Sequence, residues 1–352
     1  MSDTSLIDPL TGLSPWRACV APMLDWTDRH CRTFHRQLSA HARLYTEMLT
    51  TGALVHGKMH RFLDYNECEH PVALQLGGSE PADLAVCAKL ALERGYDEVN
   101  LNCGCPSERV QRGAFGACLM NESALVADGI KAMMDATGND ARMPITVKHR
   151  TGIDQIESYD FVRDFVGTIA DVGCKVFIVH ARNAWLKGLS PKENRDIPPL
   201  RYAFVHRLKQ DFPQLTIVLN GGLADNAQCL AQLQPGAEIE GVALDGVMVG
   251  RAAYHTPWMM SEWDDLLFQQ APRTQALRRE DVEAFMAAYT DAEVERTKGW
   301  EHGSVRWHQV MRHVLGLYSG LPGARRWRQV WSDHTLKDRT AVEVMALAHQ
   351  RP

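Results

Sequence analysis

Eight short segments rich in apolar and β-branched residues recur along the chain, and most of them end in polar residues or glycine. Segments with the spacing of amphipathic helices separate them, for example residues 80–95 and 123–138. Eight strands that alternate with helices over about 250 residues predict a closed (β/α)8 TIM barrel, an α/β fold. A doubly wound open sheet is the alternative, but no GxGxxG motif follows the first strand and the count of eight favours closure. The predicted strands are residues 17–23, 42–48, 71–78, 96–103, 144–150, 175–182, 215–222 and 246–251.

The length of 352 residues and the hydrophobic content of 45% allow one such barrel and a smaller unit. We place the boundary in the polar stretch 269–279, which divides a barrel domain, residues 1–268, from an all-helical domain, residues 280–352. The N-terminal segment lacks the basic and apolar regions of a signal peptide, and no run of about 18 apolar residues occurs. These features predict a cytoplasmic protein without a membrane segment. The sequence does not reveal the oligomeric state, and a monomer is our working expectation.

Nine cysteines are scattered along the chain, and no two of them form a CxxC pair. An odd number of cysteines without a secretory signal indicates reduced thiols rather than disulfides. Structural zinc sites usually contain such CxxC pairs, so we expect no bound metal.

The net charge of −5 conceals an uneven distribution. Residues 296–352 contain 10 Lys and Arg against 4 Asp and Glu, whereas the rest of the chain has 28 basic and 39 acidic residues. The same stretch holds five histidines and four of the nine tryptophans. Basic residues interleaved with aromatic ones are typical of a surface that contacts nucleic-acid phosphates, although a solvated helical face has the same composition.

The C-terminal ends of the strands are where a TIM barrel carries its chemistry. Here nearly every predicted strand ends in a polar or conformationally permissive residue. One Gln or His at such a place is usually only a satisfied hydrogen-bonding residue, but a set that converges on one face predicts a site. The strand-end residues are Pro22, Met23, Glu47, Gln75, residues 100–105, Lys148, Arg150, His180, Arg182, residues 220–222, Gly250 and Arg251.

The last two strands end in NGG and GR, at the place where TIM barrels usually bind phosphate. Gly221, Gly222 and Gly250 allow backbone N–H groups to approach a phosphate closely. Arg251 can add a charge-assisted, bidentate contact. The two motifs therefore predict a site for a phosphorylated cofactor.

The strand ends in the middle of the sequence suit a planar ring system. Lys148 and His180 would face its centre, where positive or donor groups stabilise a reduced, anionic ring. Gln75 offers a donor and an acceptor to a pyrimidine edge, and the backbone of Ala21, Pro22 and Met23 would lie against another side. Flavin mononucleotide (FMN) fits this arrangement better than a dinucleotide does.

The segment NLNCGCPS at 100–107 raises four alternatives for Cys103 and Cys105: a metal clip, a redox pair, packing, or one catalytic thiol beside an incidental one. A disulfide between residues two apart would be strained, and a metal site lacks further ligands at suitable spacing. Most free cysteines are small buried hydrophobes, which is our expectation for Cys103. Cys105 lies two residues beyond the strand, next to Gly104 and Pro106, at the tip of a stiff loop. The sequence leaves open whether the two cysteines exchange roles.

These motifs together resemble the tRNA-dihydrouridine synthases, flavoenzymes that reduce the C5–C6 double bond of uridine in tRNA. Two further segments, 180–200 and 312–329, are similar to the A branch of that family, which acts at positions 20 and 20a of the D-loop. The resemblance covers essentially the whole chain. It rests on APM at 21–23, QLGG at 75–78, NLNCGCPS at 100–107, VKHRTG at 147–152, VHAR at 179–182, NGG at 220–222 and VGR at 249–251.

The resemblance implies a role for each matching residue. Cys105, the last cysteine of the family motif, would be the proton donor, and NADPH would be the reductant. The residues implied in FMN binding are Ala21, Pro22, Met23, Gln75, Lys148, His180, Asn220, Gly221, Gly222, Gly250 and Arg251. The residues implied in tRNA contact are Asn102, Lys192, Arg195, Arg325 and Arg328. The connection 231–246, between NGG and GR, is longer than the family leads us to expect, and we interpret the extra residues as an excursion between strands 7 and 8.

The implied reaction needs a hydride and a proton on adjacent carbons of the uracil. A thiol is mostly protonated at neutral pH, so it can act as an acid where a carboxylic acid would first need a raised pKa. Trp327 and Trp331, four residues apart, could stack a base, but aromatics at helical spacing usually pack a core, and we predict packing.

Two other functions remain as alternatives. A flavin barrel of the dihydroorotate or enoate oxidoreductase type shares the strands and the phosphate site but gives no role to the basic C-terminal stretch. A non-catalytic RNA-binding protein would leave the combination of Cys105, Lys148, His180 and Arg251 unexplained.

Overall fold

Eight parallel strands form the centre of the protein in a computed structural model that describes residues 12–57, 60–107, 113–271, 273–300 and 303–350. Each predicted strand is present, with ends one to three residues from the predicted ones in most cases, because residues that curve into the loops leave the hydrogen-bonded ladder. The strands are β1 Ala18–Val20, β2 Leu44–Thr50, β3 Val72–Gly77, β4 Glu98–Cys103, β5 Ile145–Arg150, β6 Val176–His180, β7 Thr216–Asn220 and β8 Gly246–Val249.

The sheet closes on itself. Its hydrogen-bonded order is β1-β8-β7-β6-β5-β4-β3-β2, and a parallel bridge between Cys19 and Arg43 joins the two ends. The Val20 amide donates to the Arg43 carbonyl at 2.9 Å, and the Arg43 amide donates to the Ala18 carbonyl at 3.0 Å. The predicted TIM barrel is therefore confirmed, and the open doubly wound sheet is excluded.

Helices follow the strands on the outside of the barrel, as right-handed parallel crossovers require. The predicted helices 80–95 and 123–138 are both present within two residues of their predicted ends. The longer connection before β8 contains a short helix and then, from residue 233 to 245, turns and bends. The helices of this part are α1 Arg29–Leu38, α2 Thr51–Val55, α3 Pro81–Glu93, α4 Ser123–Ala136, α5 Tyr159–Asp171, α6 Tyr202–Asp211, α7 Asn226–Gln232, α8 Arg251–His255 and α9 Trp263–Leu266.

The barrel is filled by side chains, so it encloses no channel. One buried cluster lies inside the strands, and a second, larger cluster packs the outward faces of the strands against the helices. With the interior filled, space for a ligand is left at the ends of the strands. The inner cluster consists of Trp16, Cys19, Ala21, Tyr45, Ala73, Val176, Ile178, Val218 and Met248.

The C-terminal helices pack around one buried carboxylate. Glu283 accepts hydrogen bonds from the indoles of Trp327 and Trp331, at 2.8 and 2.9 Å, from the hydroxyl of Tyr318 at 3.0 Å and from His349 at 2.7 Å. Trp327 and Trp331 are only 5% and 2% exposed, which confirms that they pack the core. The helices are α10 Arg279–Arg296, α11 Trp307–Met311, α12 Ala324–Trp331 and α13 Ala341–Ala348.

The C-terminal helices contact the barrel through the beginning of α1. Asp28 caps that helix by accepting from the amides of His30 and Cys31, and it also accepts from His313 Nε2 at 3.0 Å. Arg29 forms an ion pair with Glu293 of α10. No helix or strand occupies the described residues between 267 and 278. The boundary at 269–279 and the division into two domains stay predictions.

Replacing Glu283 tests its central place in the C-terminal helices. Glu283→Ala leaves two indoles and a phenol without their acceptor, and we expect the free energy of unfolding to fall by about 3 kcal/mol. Urea denaturation measures this loss. Glu280→Ala, on the exposed side of the same helix, is the control and should change stability by less than about 0.5 kcal/mol. Equal effects of the two substitutions would contradict the assignment.

Candidate active site

Side chains from neighbouring strands meet at the C-terminal end of the barrel. Because alternate residues of a strand face the same side, Lys148 and Arg150 of β5 both point inward, and Arg150 is in register with His180 of β6. His180 is in register with Asn220 of β7. The ammonium group of Lys148 donates to Asn220 Oδ1 at 2.9 Å. The structure therefore brings Lys148, His180 and Asn220 together, as the sequence predicts.

This group of side chains is poorly solvated, and its ionisation changes accordingly. Burial, helped by the positive charge of Arg150, lowers the pKa of Lys148 to about 7, while Cys105 opposes the shift. Burial and the charges of Arg150 and Lys148 hold the pKa of His180 well below its usual value. Near neutral pH the imidazole of His180 is therefore uncharged, and the ammonium group of Lys148 titrates within the physiological pH range.

The two glycines after β7 are packed so closely against neighbouring side chains that no larger residue would fit there. Gly221 and Gly222 have positive φ angles of 107° and 75°. A Cβ atom on Gly221 would lie 2.7 Å from His180 Cδ2, and one on Gly222 would lie 2.6 Å from a methyl carbon of Leu200. The hydroxyl of Tyr202 donates to the Gly221 carbonyl at 2.7 Å and fixes the turn. Glycine is needed at both positions for conformation and for space.

The ends of β1 and β8 lie side by side. The Ala21 amide donates to the Val249 carbonyl at 2.8 Å, and a Cβ atom on Gly250 would be 3.7 Å from Ala21 Cβ and 3.8 Å from Met23 Sδ. Pro22 connects Ala21 to Met23, so the whole predicted segment borders Gly250. Arg251 begins α8 and forms an ion pair of 2.7 Å with Asp196.

Gln75 is 1% exposed, and both ends of its amide have protein partners. Nε2 donates to Asn100 Oδ1 at 2.7 Å, and Oε1 accepts from Asn102 Nδ2 at 2.9 Å. A ligand would therefore meet only the second N–H and the second lone pair of this amide.

The two cysteines of NLNCGCPS have different surroundings, as expected. Cys103 is fully buried, and burial raises its pKa well above the usual value. Cys105 is half-buried in the loop after β4, where its amide and that of Gly104 both donate to Asn102 Oδ1 at 3.0 Å. Arg150 Nε donates to the Gly104 carbonyl at 3.1 Å from the other side. The loop that carries the Cys105 thiol is thus held from two strands.

The loop after β6 reaches the same mouth. Arg150 donates to the carbonyls of Asn183 and Asn194 at 3.1 and 2.7 Å, which ties this loop to the cysteine loop. Arg195, from the same loop, lies within electrostatic range of Cys105. Lys192 is exposed three residues earlier.

Arg325 and Arg328 belong to α12, and Arg328 borders a cavity. It lines a cleft of about 490 Å³ between α8 and the C-terminal helices, together with Tyr254, His255 and Arg312. Because α8 begins at Arg251 and ends at His255, this cleft is one short helix away from the strand-end glycines. Among the described residues, Lys192, Arg195, Arg325 and Arg328 form no salt bridge.

Several residues of the site were not predicted. Arg150 and Asn100 are predicted only as strand-end residues, and Asp196, Glu98 and Thr146 are not among the predicted residues. For β4 a signal was present, since EVNLNC places Glu98, Asn100 and Asn102 on one face of the strand. Salt-bridge partners such as Asp196, 55 residues away from Arg251, leave no local signal.

A closed parallel barrel with basic side chains and a partly exposed thiol at its C-terminal end defines the class: a TIM-barrel enzyme. Residues 19–350 match the family model described as Dihydrouridine synthase (Dus), and the chain belongs to this family. It is 52% identical over 330 residues to a tRNA-dihydrouridine(20/20a) synthase of Yersinia pestis, covering 94% of this chain and 89% of that protein. It is 55% identical over 320 residues to the Pseudomonas aeruginosa protein of the same name, covering 90% and 89%.

A solved structure, that of morphinone reductase, matches with a TM-score of 0.47 and 13% identity over 70% of this chain and 85% of that chain. No helix of the described ranges is long and apolar enough to cross a membrane. Within those same ranges, no cluster of three or more His, Cys, Asp or Glu side chains is arranged to hold a metal ion.

The lowered pKa of Lys148 predicts a pH dependence of stability. Between the folded-state pKa of about 7 and the usual value of about 10.4, the unfolded chain binds a proton that the folded chain does not. Stability of the ligand-free protein should therefore rise with pH in this window, by up to about 1.4 kcal/mol per unit. Lys148→Met should remove this contribution in urea denaturation at pH 7 and pH 9.

Lys131→Met provides the control, because Lys131 is an exposed residue of α4 paired with Asp135. It should keep the pH dependence of the unaltered protein. If Lys148→Met also keeps it, Lys148 is not desolvated as described.

Proposed function

We propose that this protein reduces uridine to 5,6-dihydrouridine in the D-loop of tRNA, at positions 20 and 20a, with FMN as bound cofactor and NADPH as reductant. The observation that carries the proposal is the position of Cys105 in a member of the dihydrouridine synthase family: a partly exposed thiol at the barrel mouth, within electrostatic range of Lys148, Arg150 and Arg195. The curated relatives bear the name of this reaction.

The residues at the mouth fit FMN. Gly221 and Gly222, whose positive φ angles and close packing admit no side chain, would let backbone N–H groups approach a phosphate. Arg251 is exposed, and its ion pair with Asp196 uses one of its NH2 groups, so its other donors could reach a phosphate. Lys148 is a cation enclosed in the barrel mouth and hydrogen-bonded to a neutral amide, which favours an anionic ring beside it. The full set would be Ala21, Pro22, Met23, Gln75, Lys148, His180, Asn220, Gly221, Gly222, Gly250 and Arg251.

Cys105 would supply the proton. When bound, reduced FMN supplies a hydride to C6 of the uracil. The S–H bond of Cys105 breaks as the proton passes to C5, and the thiolate that forms lies near the positive charges of Lys148, Arg150 and Arg195. These cations stabilise the negative charge that the step leaves on sulfur, and solvent returns the proton afterwards.

The tRNA would be held by its backbone, with the target base turned out into the barrel mouth. Lys192 and Arg195 lie at the mouth, and Arg325 and Arg328 lie on the helix beyond the cleft. Their lack of carboxylate partners among the described residues leaves these cations available for phosphates. Asn102, whose oxygen holds the Cys105 loop, has one further N–H to offer the base.

A small-molecule flavin oxidoreductase is the alternative, and the family match over residues 19–350 does not favour it. The cytoplasmic location, the monomeric state and the division at residues 269–279 stay predictions.

Replacing Cys105 tests the catalytic assignment. Without the acid, Cys105→Ala should lower dihydrouridine formation by about 10²–10⁴-fold, measured by mass spectrometry of tRNA from a strain lacking the modification. The flavin spectrum and the tRNA affinity should be unchanged. Cys103→Ala is the matched control and should remain active although less stable. Full activity of Cys105→Ala would show that Cys105 is not the acid. An inactive Cys103→Ala beside an active Cys105→Ala would assign that role to Cys103.

Replacing Arg325 and Arg328 of α12 tests their predicted contact with tRNA. Arg325→Ala with Arg328→Ala removes two phosphate contacts, so tRNA affinity should fall and the slope of log affinity against log salt should decrease by about 2. Filter binding at several salt concentrations measures both quantities. Arg163→Ala, on α5 and paired with Asp160 and Asp164, should leave the slope unchanged. An unaltered slope in the double variant would show that these arginines of α12 do not contact the tRNA phosphates.

A further inference from the structure

A continuous row of hydrogen bonds runs through the inside of the barrel, from its N-terminal end to the cysteine loop. Glu98, the first residue of β4, lies at the lower end, and the Cys105 amide lies at the upper end. Glu98, Asn100 and Asn102 point inward from β4, and side chains of β3 and β5 fill the gaps between them. We call Glu98, Thr146, Asn100, Gln75 and Asn102 the Glu98 chain.

All donors of the Glu98 chain point towards the carboxylate. The Cys105 amide donates to Asn102 Oδ1 at 3.0 Å, and Asn102 Nδ2 donates to Gln75 Oε1 at 2.9 Å. Gln75 Nε2 donates to Asn100 Oδ1 at 2.7 Å, and Asn100 Nδ2 donates to Thr146 Oγ1 at 2.8 Å. The Thr146 hydroxyl then donates to Glu98 Oε1 at 2.5 Å.

The lower end of the chain can only accept. Glu98 Oε2 accepts from Trp16 Nε1 at 2.8 Å and from Arg43 at 3.3 Å, and neither of these groups has a lone pair to offer. Oε1 accepts from the Tyr45 hydroxyl at 2.8 Å as well as from Thr146. Burial raises the pKa of Glu98, while the charge of Arg43 and the hydrogen bonds oppose that shift.

The upper end of the chain can only donate, because it consists of the backbone N–H groups of Gly104 and Cys105. With both ends fixed, only one orientation satisfies the three amides between them. Reversing Gln75 alone would bring its oxygen against Asn100 Oδ1 and its NH2 group against Asn102 Nδ2. Reversing all three would bring an NH2 group against the backbone N–H groups. Through five hydrogen bonds, the carboxylate of Glu98 therefore determines which end of each side-chain amide, the oxygen or the NH2 group, faces each neighbour.

All of the chain below Asn102 is shielded from water. Glu98, Thr146 and Asn100 are fully buried and Gln75 is 1% exposed, so a broken link there has no solvent to replace it. Hydrogen bonds that point in the same direction also polarise one another. A defect at one link therefore loosens the orientation of the amides above it.

We propose that Glu98 and Thr146 are positioning residues for Cys105: through Asn100, Gln75 and Asn102 they fix the backbone of the cysteine loop and so the place of its thiol. The proposal rests on the proposed role of Cys105 as proton donor. Arg150 holds the same loop from the opposite side through the Gly104 carbonyl. The loop that carries the thiol is thus held on one side by the Glu98 chain, which begins at the base of the barrel, and on the other side by Arg150 at its mouth.

Tyr45 offers a matched control for Thr146. Both residues are buried, and both hydroxyls donate to Glu98 Oε1, but only Thr146 is a link towards Cys105. Thr146→Val interrupts the chain with little change of shape, Thr146→Ser keeps the hydroxyl, and Tyr45→Phe removes the other donor.

The experiment measures two properties of each flavin-loaded variant: the pH profile for alkylation of Cys105 by iodoacetamide, followed by mass spectrometry of its peptide, and kcat and KM for tRNA. Thr146→Val should shift the Cys105 profile or change its rate severalfold, and should lower kcat by about tenfold or more with little change in KM. Thr146→Ser and Tyr45→Phe should resemble the unaltered protein. Cys68, exposed and outside the chain, reports alkylation in general and should not change.

Equal behaviour of Thr146→Val and Tyr45→Phe in both measurements would overturn the proposal, since a merely structural role predicts equality. If Thr146→Val does not fold, Asn100→Ala interrupts the chain one bond nearer to Cys105, with the same expected changes. Alkylation does not depend on catalysis, so the chain is tested even if Cys105→Ala remains active. In that case only the proposed function fails.

Discussion

The contact between Arg43 and β1 closes the barrel, and the arrangement of the mouth depends on it. Two backbone hydrogen bonds, between Val20 and Arg43 and between Arg43 and Ala18, join the edges of the sheet. Closure brings the C-terminal ends of all eight strands onto one rim, although Cys105 and Asn220 are far apart in sequence. The side chain of Arg43 meets Glu98 in the interior. Arg43 therefore takes part both in the closure of the barrel and, through Glu98, in the hydrogen-bond chain that reaches the Cys105 loop.

The cations near the barrel mouth fall into a buried group and an exposed group. At the mouth, Lys148 and Arg150 are desolvated, and burial lowers the pKa of both, to about 7 and about 10. Four cations farther out form no salt bridge with a described carboxylate: Lys192, Arg195, Arg325 and Arg328. On the outer helices of the barrel, by contrast, residues such as Arg163 are paired. These cations, which have no described salt-bridge partner, lie at the mouth and on α12. They could bind a polyanion that extends over both places.

The sequence was sufficient to predict the barrel, its eight strands, the buried tryptophans of α12 and the different surroundings of Cys103 and Cys105. These features follow from local periodicity, from glycines at strand ends and from the usual burial of each residue type. The partners of the polar residues could not be predicted, because the register between strands decides which side chains meet. Gln75 bonds to Asn100, for example, 25 residues away, and Arg150 to a carbonyl 44 residues away. The alternation of Glu98, Asn100 and Asn102 in EVNLNC does indicate a polar inner face of β4.

Single-turnover oxidation of the reduced enzyme tests most directly whether this barrel transfers reducing equivalents to uridine in tRNA. The enzyme is reduced without oxygen and mixed with an equimolar unmodified tRNA transcript, and the absorbance of oxidised flavin is followed. We expect the absorbance to return with a transcript that has uridine at positions 20 and 20a, and not with one that has cytidine there. If the absorbance returns with a small enone or with orotate but not with the uridine transcript, the protein does not reduce uridine in tRNA as proposed.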